Sequence, residues 1–269
     1  MVKKLFKHEF LFYARVMTLV YGILLTIAAA SRVIQIFEND SVAYTIVIVF
    51  SGITYGISVL VAFGFSFVMG ILRFYRNLFT GEGYLTFTLP VTPRQHIAVK
   101  AVTAVSMNII TVVMVLISFS IITAGEMLKE IGIALRYIMN ELFRLAGGQI
   151  AVIGLEFVLL LLVAAFTGIM LYYTFIAIGQ LFRKNRVLAA VGAYFVYYII
   201  TQIISTVLTI GFSALTLSGT VEQIGLWAAA HPYQTIHIVM WGLIVLEAIF
   251  AAVEFLVIKW VITKKLNLE

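Results

Sequence analysis

Long apolar runs broken by short polar stretches dominate this chain, and the pattern predicts helices that cross a membrane. A transmembrane helix needs about 20 predominantly apolar residues. Six stretches reach that length, at residues 16–37, 43–72, 101–124, 150–182, 187–215 and 238–262. Segments of about ten residues with alternating apolar and polar positions do not recur, which argues against a β-barrel. The expected fold class is an all-α integral membrane protein, with residues 1–269 forming a single transmembrane domain.

Composition supports this. Of the 269 residues, 63% are hydrophobic and 11% charged, whereas a soluble domain keeps about a quarter of its residues charged. The chain has too few polar groups to cover itself, so lipid serves as part of its solvent. The formal net charge of +6 does not mark a nucleic-acid binder, because the basic residues recur at intervals instead of gathering on one domain. Lys3, Lys4, Lys7 and Arg15 precede span one, and Arg73, Arg76, Arg94 and Lys100 lie between spans two and three. Arg183, Lys184 and Arg186 join spans four and five, and Lys259, Lys264 and Lys265 close the chain. All of these fall on one side of a six-span arrangement, and the positive-inside rule then predicts both termini in the cytoplasm. Trp227, Trp241 and Trp260 fall near predicted interfaces, where aromatic rings are favoured. The absence of cysteine excludes disulfides, thiolate metal sites and a cysteine nucleophile.

Three further segments carry patterns of their own. Residues 1–15 interleave Leu5, Phe6, Phe10, Leu11 and Phe12 with basic residues and lack the uninterrupted apolar core of a signal peptide. They read as an amphipathic interfacial helix lying in the headgroup region and leading into span one. The outer loop from Glu126 to Gln149 places Leu128, Ile131, Leu135, Ile138, Leu142 and Leu145 at helical spacing, with Gly147 and Gly148 as a stop. It is expected to form a surface helix packed on the membrane or on a partner, either a plain connector or an element that shapes an exit path or recognises a peptide. Gly52 and Gly56 have the spacing that lets helices approach closely, either in a dimer contact or, as is expected, in packing within the chain.

No Gly-x-x-x-x-Gly-Lys-[Ser/Thr] loop occurs, so ATP-driven work would have to come from a partner chain. His231 and His237, six apart, do not share a helical face and are not expected to hold a metal. No clustered nucleophile and base lie within the spans, so the chain is not expected to be an enzyme. Arg32, Glu156, Glu247 and Glu254 lie in or near membrane depth. Ionisable groups there are costly and are functional candidates by default. They read either as polar lining of a translocation path or dimer interface, or as groups snorkelling from helix ends. Glu247 and Glu254, seven apart, share one face of span six.

The stretch between spans two and three is the most informative. Gly81 and Gly83 bracket Glu82 and break the helix. Thr92, Pro93 and Gln95 form a helix start, with Thr as N-cap, Pro in the first turn and Gln three residues on. Between the breaks sit Tyr84, Leu85, Phe87 and Leu89, apolar residues that need something to bury them, either the helix ends of this chain or a partner.

The run Glu82-Gly83-Tyr84-Leu85-Thr86-Phe87-Thr88-Leu89-Pro90-Val91-Thr92 resembles the cytoplasmic signature of type-2 ABC transporter permeases, in which an acidic residue and Gly precede a Leu-Pro-[Val/Ser]-[Ser/Thr] run. The six-span layout, the amphipathic N-terminus and the Lys264-Lys265-Leu266-Asn267-Leu268-Glu269 ending are similar too. The resemblance implies the permease subunit of an exporter in a bacterial cytoplasmic membrane. A cytoplasmic coupling helix between spans two and three would dock on a separate ABC ATPase subunit, which binds ATP and magnesium, while this chain binds no cofactor. Glu82, Gly83, Tyr84, Leu85, Phe87, Leu89, Pro90 and Arg94 would make that contact. A second permease chain, identical or paralogous, and membrane lipid complete the implied partners. The substrate would be an amphipathic or antimicrobial peptide, or a lipid. The alternative is a non-transporting immunity or sensor protein that binds a peptide at its outer face. The family's short re-entrant hairpin between spans five and six is less evident, because Thr216–His237 includes Glu222, Gln223, His231 and Pro232.

Overall fold

Six of the chain's helices are long and apolar enough to cross a membrane, which makes this a multi-pass membrane protein. The computed structural model describes residues 2–37, 39–81, 83, 86, 88, 90–182, 184–217 and 219–264. Among these residues the regular elements are helical: α1 (Val2–Ile36), α2 (Val42–Phe79), α3 (Pro93–Ile122), α4 (Glu126–Ala146), α5 (Ile150–Gly179), α6 (Arg186–Leu217), α7 (Thr220–Ala230) and α8 (Pro232–Lys264). The candidate spans are α1, α2, α3, α5, α6 and α8. The chain forms two compact units, residues 1–138 and 139–269.

In the first unit, three helices outrun their apolar stretches. No Gly or Pro interrupts residues 2–21, so α1 is continuous through both the amphipathic start and the first apolar run. This corrects the expectation of a separate interfacial helix, because a helix without a break cannot lie in the membrane plane and also cross it. At 35 residues α1 is about 52 Å long, well beyond the roughly 30 Å hydrocarbon core. α2 continues to Phe79, and α3 begins at Pro93 behind the anticipated capping box of Thr92 and Gln95.

α1 buries Glu9, Tyr13, Met17, Tyr21, Leu24, Ala28 and Ser31, a stripe spaced by three and four residues. Tyr13, Met17 and Tyr21 pack with Met107 of α3, while Leu24 and Ala28 pack with Tyr55, Ala62 and Val115. In lipid the hydrophobic effect does not drive helices together, so shape and polar pairs matter more. The pairs form a ladder. The Tyr13 hydroxyl donates to the Ser66 carbonyl, Ser66 Oγ donates to Asn108 at 2.8 Å, and the Tyr21–Thr111 and Tyr55–Ser118 hydroxyls meet at 2.8 Å. Close approach occurs at Gly70, where a Cβ would lie 3.1 Å from the Ala104 Cβ. Gly52 and Gly56 have nothing within 4 Å of a Cβ position. Their expected role in packing within the chain is therefore corrected, since they lie off the face that α2 turns to its neighbours.

α4 is the expected amphipathic helix. None of its described side chains is buried, and Leu128, Leu135, Ile138 and Phe143 are more than half exposed. Gly147, at φ +56°, supplies the stop that a residue with a Cβ adopts only at a cost.

In the second unit α5 and α8 run in the same direction, because Trp241 bonds Glu156 and Thr167 bonds the Glu247 carbonyl further along both helices. α6 packs on α5 through Phe175, whose ring meets Tyr194 at 5.8 Å and Tyr197 at 5.5 Å edge-on. None of the described residues of α6 is buried. At the turn into α6, a Cβ on Gly179 would lie 2.6 Å from the Arg186 carbonyl oxygen and 2.9 Å from the Ala190 Cβ. Both are backbone or first side-chain atoms that cannot swing away. Gly179→Val is therefore expected to destabilise the second unit by about 1–3 kcal/mol or more through overpacking, read as a lower melting temperature in lipid nanodiscs. Between α6 and α8 the chain turns at Gly219, φ +75°, into the short α7, and Pro232 then opens α8.

Candidate functional site

A buried ion cluster forms where the extensions of α1, α2 and α3 meet. Glu9 is 6% exposed and uses both carboxylate oxygens. Its Oε2 accepts from Arg73 Nε at 3.0 Å and Nη2 at 2.9 Å, and its Oε1 accepts from Lys100 Nζ at 3.0 Å. The Lys100 side chain is 3% exposed and that of Arg73 17%. The Phe12 ring, one helical turn from Glu9, covers the guanidinium, with the Arg73 carbon 3.7 Å from the ring centroid. One carboxylate thus holds two cations that would otherwise repel each other at low dielectric.

The connection from residue 80 to 92 joins the two helices that carry Arg73 and Lys100. Arg73 lies in the last two turns of α2 and Lys100 in the second turn of α3. Gly83 and Thr86 have helical backbone, and the Gly83 N–H donates to the Thr80 carbonyl at 2.8 Å. His96, 1% exposed and one turn before Lys100, hydrogen-bonds the Thr86 backbone. Thr86 is thus tied to α3, and the helices on either side of the connection are tied to each other through Glu9. Gly83 is buried, while Pro90 and Arg94 are exposed. Glu82, Tyr84, Leu85, Phe87 and Leu89 lie outside the described residues.

The second unit carries the remaining candidates. Glu156 of α5, 5% exposed, accepts from Trp241 Nε1 at 2.9 Å and lies against His237 Nδ1, both on α8. Tyr233 stacks on the His237 ring one turn earlier. These contacts tie the first turns of α5 to those of α8. Glu254, 7% exposed, has its Oε2 buried without a hydrogen-bond partner among the described residues. Glu247 is half-buried on the same face of α8. Arg32, in the first unit, donates to Gln35 at 3.2 Å within α1.

Sequence reasoning missed Glu9, the centre of the ion cluster, because a count of Lys and Arg does not register acids. The signal was present: Glu9 is the sole acid in residues 1–37 and stands in helical register with Tyr13, Met17 and Tyr21. A carboxylate on the buried stripe of a helix needs a cation from a neighbour. Glu156 was anticipated as a membrane-depth acid, but not its link to Trp241 and His237. No protein-family model, curated protein or solved structure matches the chain, so its geometry and sequence carry the functional reading.

Proposed function

We propose that this chain is the membrane-spanning subunit of an ABC exporter, driven by ATP hydrolysed on a separate ATPase subunit. The observation that carries the reading is the ion cluster that ties together the helices on either side of residues 80–92. Glu9 joins Arg73 of α2 to Lys100 of α3, and Thr86 is bonded to His96 of α3, while the permease-like run of residues 82–92 lies between them in sequence. A partner that moves this connection would move α2 and α3 with it, because the ion cluster and the hydrogen-bond ladder transmit the displacement along three helices. That is what coupling requires: a docking element joined stiffly to the spans. The distribution of Lys and Arg supports cytoplasmic termini, with the connection on the side where ATP is found.

In this reading Tyr84, Leu85 and Phe87 are the apolar knobs in a groove of the ATPase subunit, and Glu82 and Arg94 are polar contacts at its rim. A second permease chain completes the path across a bacterial cytoplasmic membrane. The test is purification of the affinity-tagged chain from its native membrane in mild detergent. The expected result is a stoichiometric subunit with a phosphate-binding Gly-rich loop and ATPase activity. A chain that purifies alone, with its cellular role intact in a strain lacking any such subunit, would contradict the proposal.

A further inference from the structure

Among the described residues no other helix packs along α4, yet α4 carries a broad apolar face. At the helical repeat, Leu128, Ile131, Leu135, Ile138, Leu142 and Phe143 fall within an arc of roughly 140°. Leu128, Leu135, Ile138 and Phe143 are each more than half exposed. All the charged residues of α4 lie outside that arc, and Glu126, Glu130 and Glu141 balance Lys129, Arg136 and Arg144. Glu141 and Arg144 pair at 2.8 Å in the open. Ile133 and Tyr137 are the large apolar side chains on the charged side.

Only residues 123–125 separate α4 from α3, and only residues 147–149 separate it from α5. Both neighbours are candidate spans and stay apolar up to the connections, through Ile121 and Ile122 on one side and from Ile150, Val152 and Ile153 on the other. The first connection is folded tight: the Gly125 N–H donates to the Ser120 carbonyl at 2.9 Å and the Glu126 N–H to the Thr123 carbonyl at 3.0 Å. The second is a single 3-10 turn, Gly147–Gln149. A helix of 21 residues is about 31 Å long, whereas three residues reach only about 10 Å even when extended. If α4 stood upright on the membrane, its far end would be too distant for the chain to re-enter as α5. α4 therefore runs along the membrane surface, with one side turned to lipid. We propose that α4 is an interfacial helix seated in the leaflet at which α3 ends, the outer one where both termini are cytoplasmic. Phospholipid acyl chains cover Leu128, Leu135, Ile138 and Phe143, and the charged side faces water. Because the charges of α4 cancel, the seat depends on apolar burial and not on anionic headgroups. Lipid then occupies the face that a receptor for a soluble peptide would have to offer.

The test uses the full chain, which has no cysteine of its own, in nanodiscs of phosphatidylcholine. Cysteine is introduced singly at Leu135 and Ile138 on the apolar face and at Glu130 and Asn140 on the opposite side, and each is labelled with the same nitroxide. Electron paramagnetic resonance then measures collisions with oxygen, which concentrates among acyl chains, and with a nickel chelate confined to water. Circular dichroism checks that each labelled chain remains helical. The ratio of oxygen to nickel collisions is expected to be several-fold higher at 135 and 138 than at 130 and 140, and to stay so in nanodiscs of anionic lipid. Nickel reaching all four positions equally would put α4 in water and overturn the assignment. Exclusion of both reagents from 135 and 138 would also overturn it, because protein would then cover the face. So would a contrast that appears only with anionic lipid, for headgroup charge would then hold the helix. The measurement needs no ATPase subunit, so its failure and the failure of the exporter reading can be told apart.

Discussion

Replacing Tyr84 and Phe87 together by Asp is expected to strip the proposed ATPase subunit from the chain and leave the chain folded and inserted. Aromatic knobs in a desolvated groove carry a disproportionate share of binding energy, and losing one commonly costs 2 kcal/mol or more. Carboxylates in their place must also be desolvated without a partner, which is worse than truncation. The combined loss is expected to exceed about 100-fold in affinity, read by titrating the ATPase subunit onto the chain in nanodiscs. The scaffold should survive, because Glu9, Arg73 and Lys100 tie α1, α2 and α3 together on either side of the substituted positions. Leu135→Asp on the exposed apolar face of α4 serves as a control that should leave the affinity unchanged.

Loss of the acid in the ion cluster should have the second large effect. Glu9→Ala leaves Arg73 and Lys100 facing each other, one of them almost fully buried. Removing one partner of a buried pair costs about 3–5 kcal/mol. Glu9→Gln keeps an acceptor but no charge, and is expected to lose about 2 kcal/mol. Combining Glu9→Gln with Lys100→Met should recover part of that loss, because fewer unanswered charges remain and the two positions are coupled. All three tryptophans lie in the second unit, at positions 227, 241 and 260. Their fluorescence would therefore miss this event, and unfolding should be followed by circular dichroism. If Glu9→Ala is as stable as the wild type, the cluster does not hold the three helices together.

The spans were legible because lipid enforces a simple rule: backbone groups in hydrocarbon must bond within a helix, and the side chains facing lipid must be apolar. Helix ends were less legible. α1, α2 and α3 each extend past their apolar runs, and the extensions are held by ion pairs between residues 64 and 91 positions apart in the chain. Hydropathy has no access to such pairs, and the positive-inside count uses Arg73 and Lys100 for orientation while saying nothing of their partner. The same limit governs the glycines. The spacing of Gly52 and Gly56 promises a close contact, yet which face of α2 is turned inward depends on Tyr55, Ala62, Ser66 and Gly70 together, and that face excludes both. The permease-like run stands out in the sequence by its residue types and its two flanking breaks. Its seat on His96 was not, because a histidine at the start of a helix has many uses.

The natural absence of cysteine permits one direct test of the central claim, that the 80–92 connection docks on an ATPase subunit. Cysteine is introduced singly at Phe87 and, as a control, at Leu135 of α4, and each chain is treated in native membranes with a short thiol-to-amine cross-linker. Phe87→Cys is expected to join covalently to the proposed ATPase subunit, and Leu135→Cys to give no such product. No adduct from position 87, or an equal adduct from position 135, would contradict it.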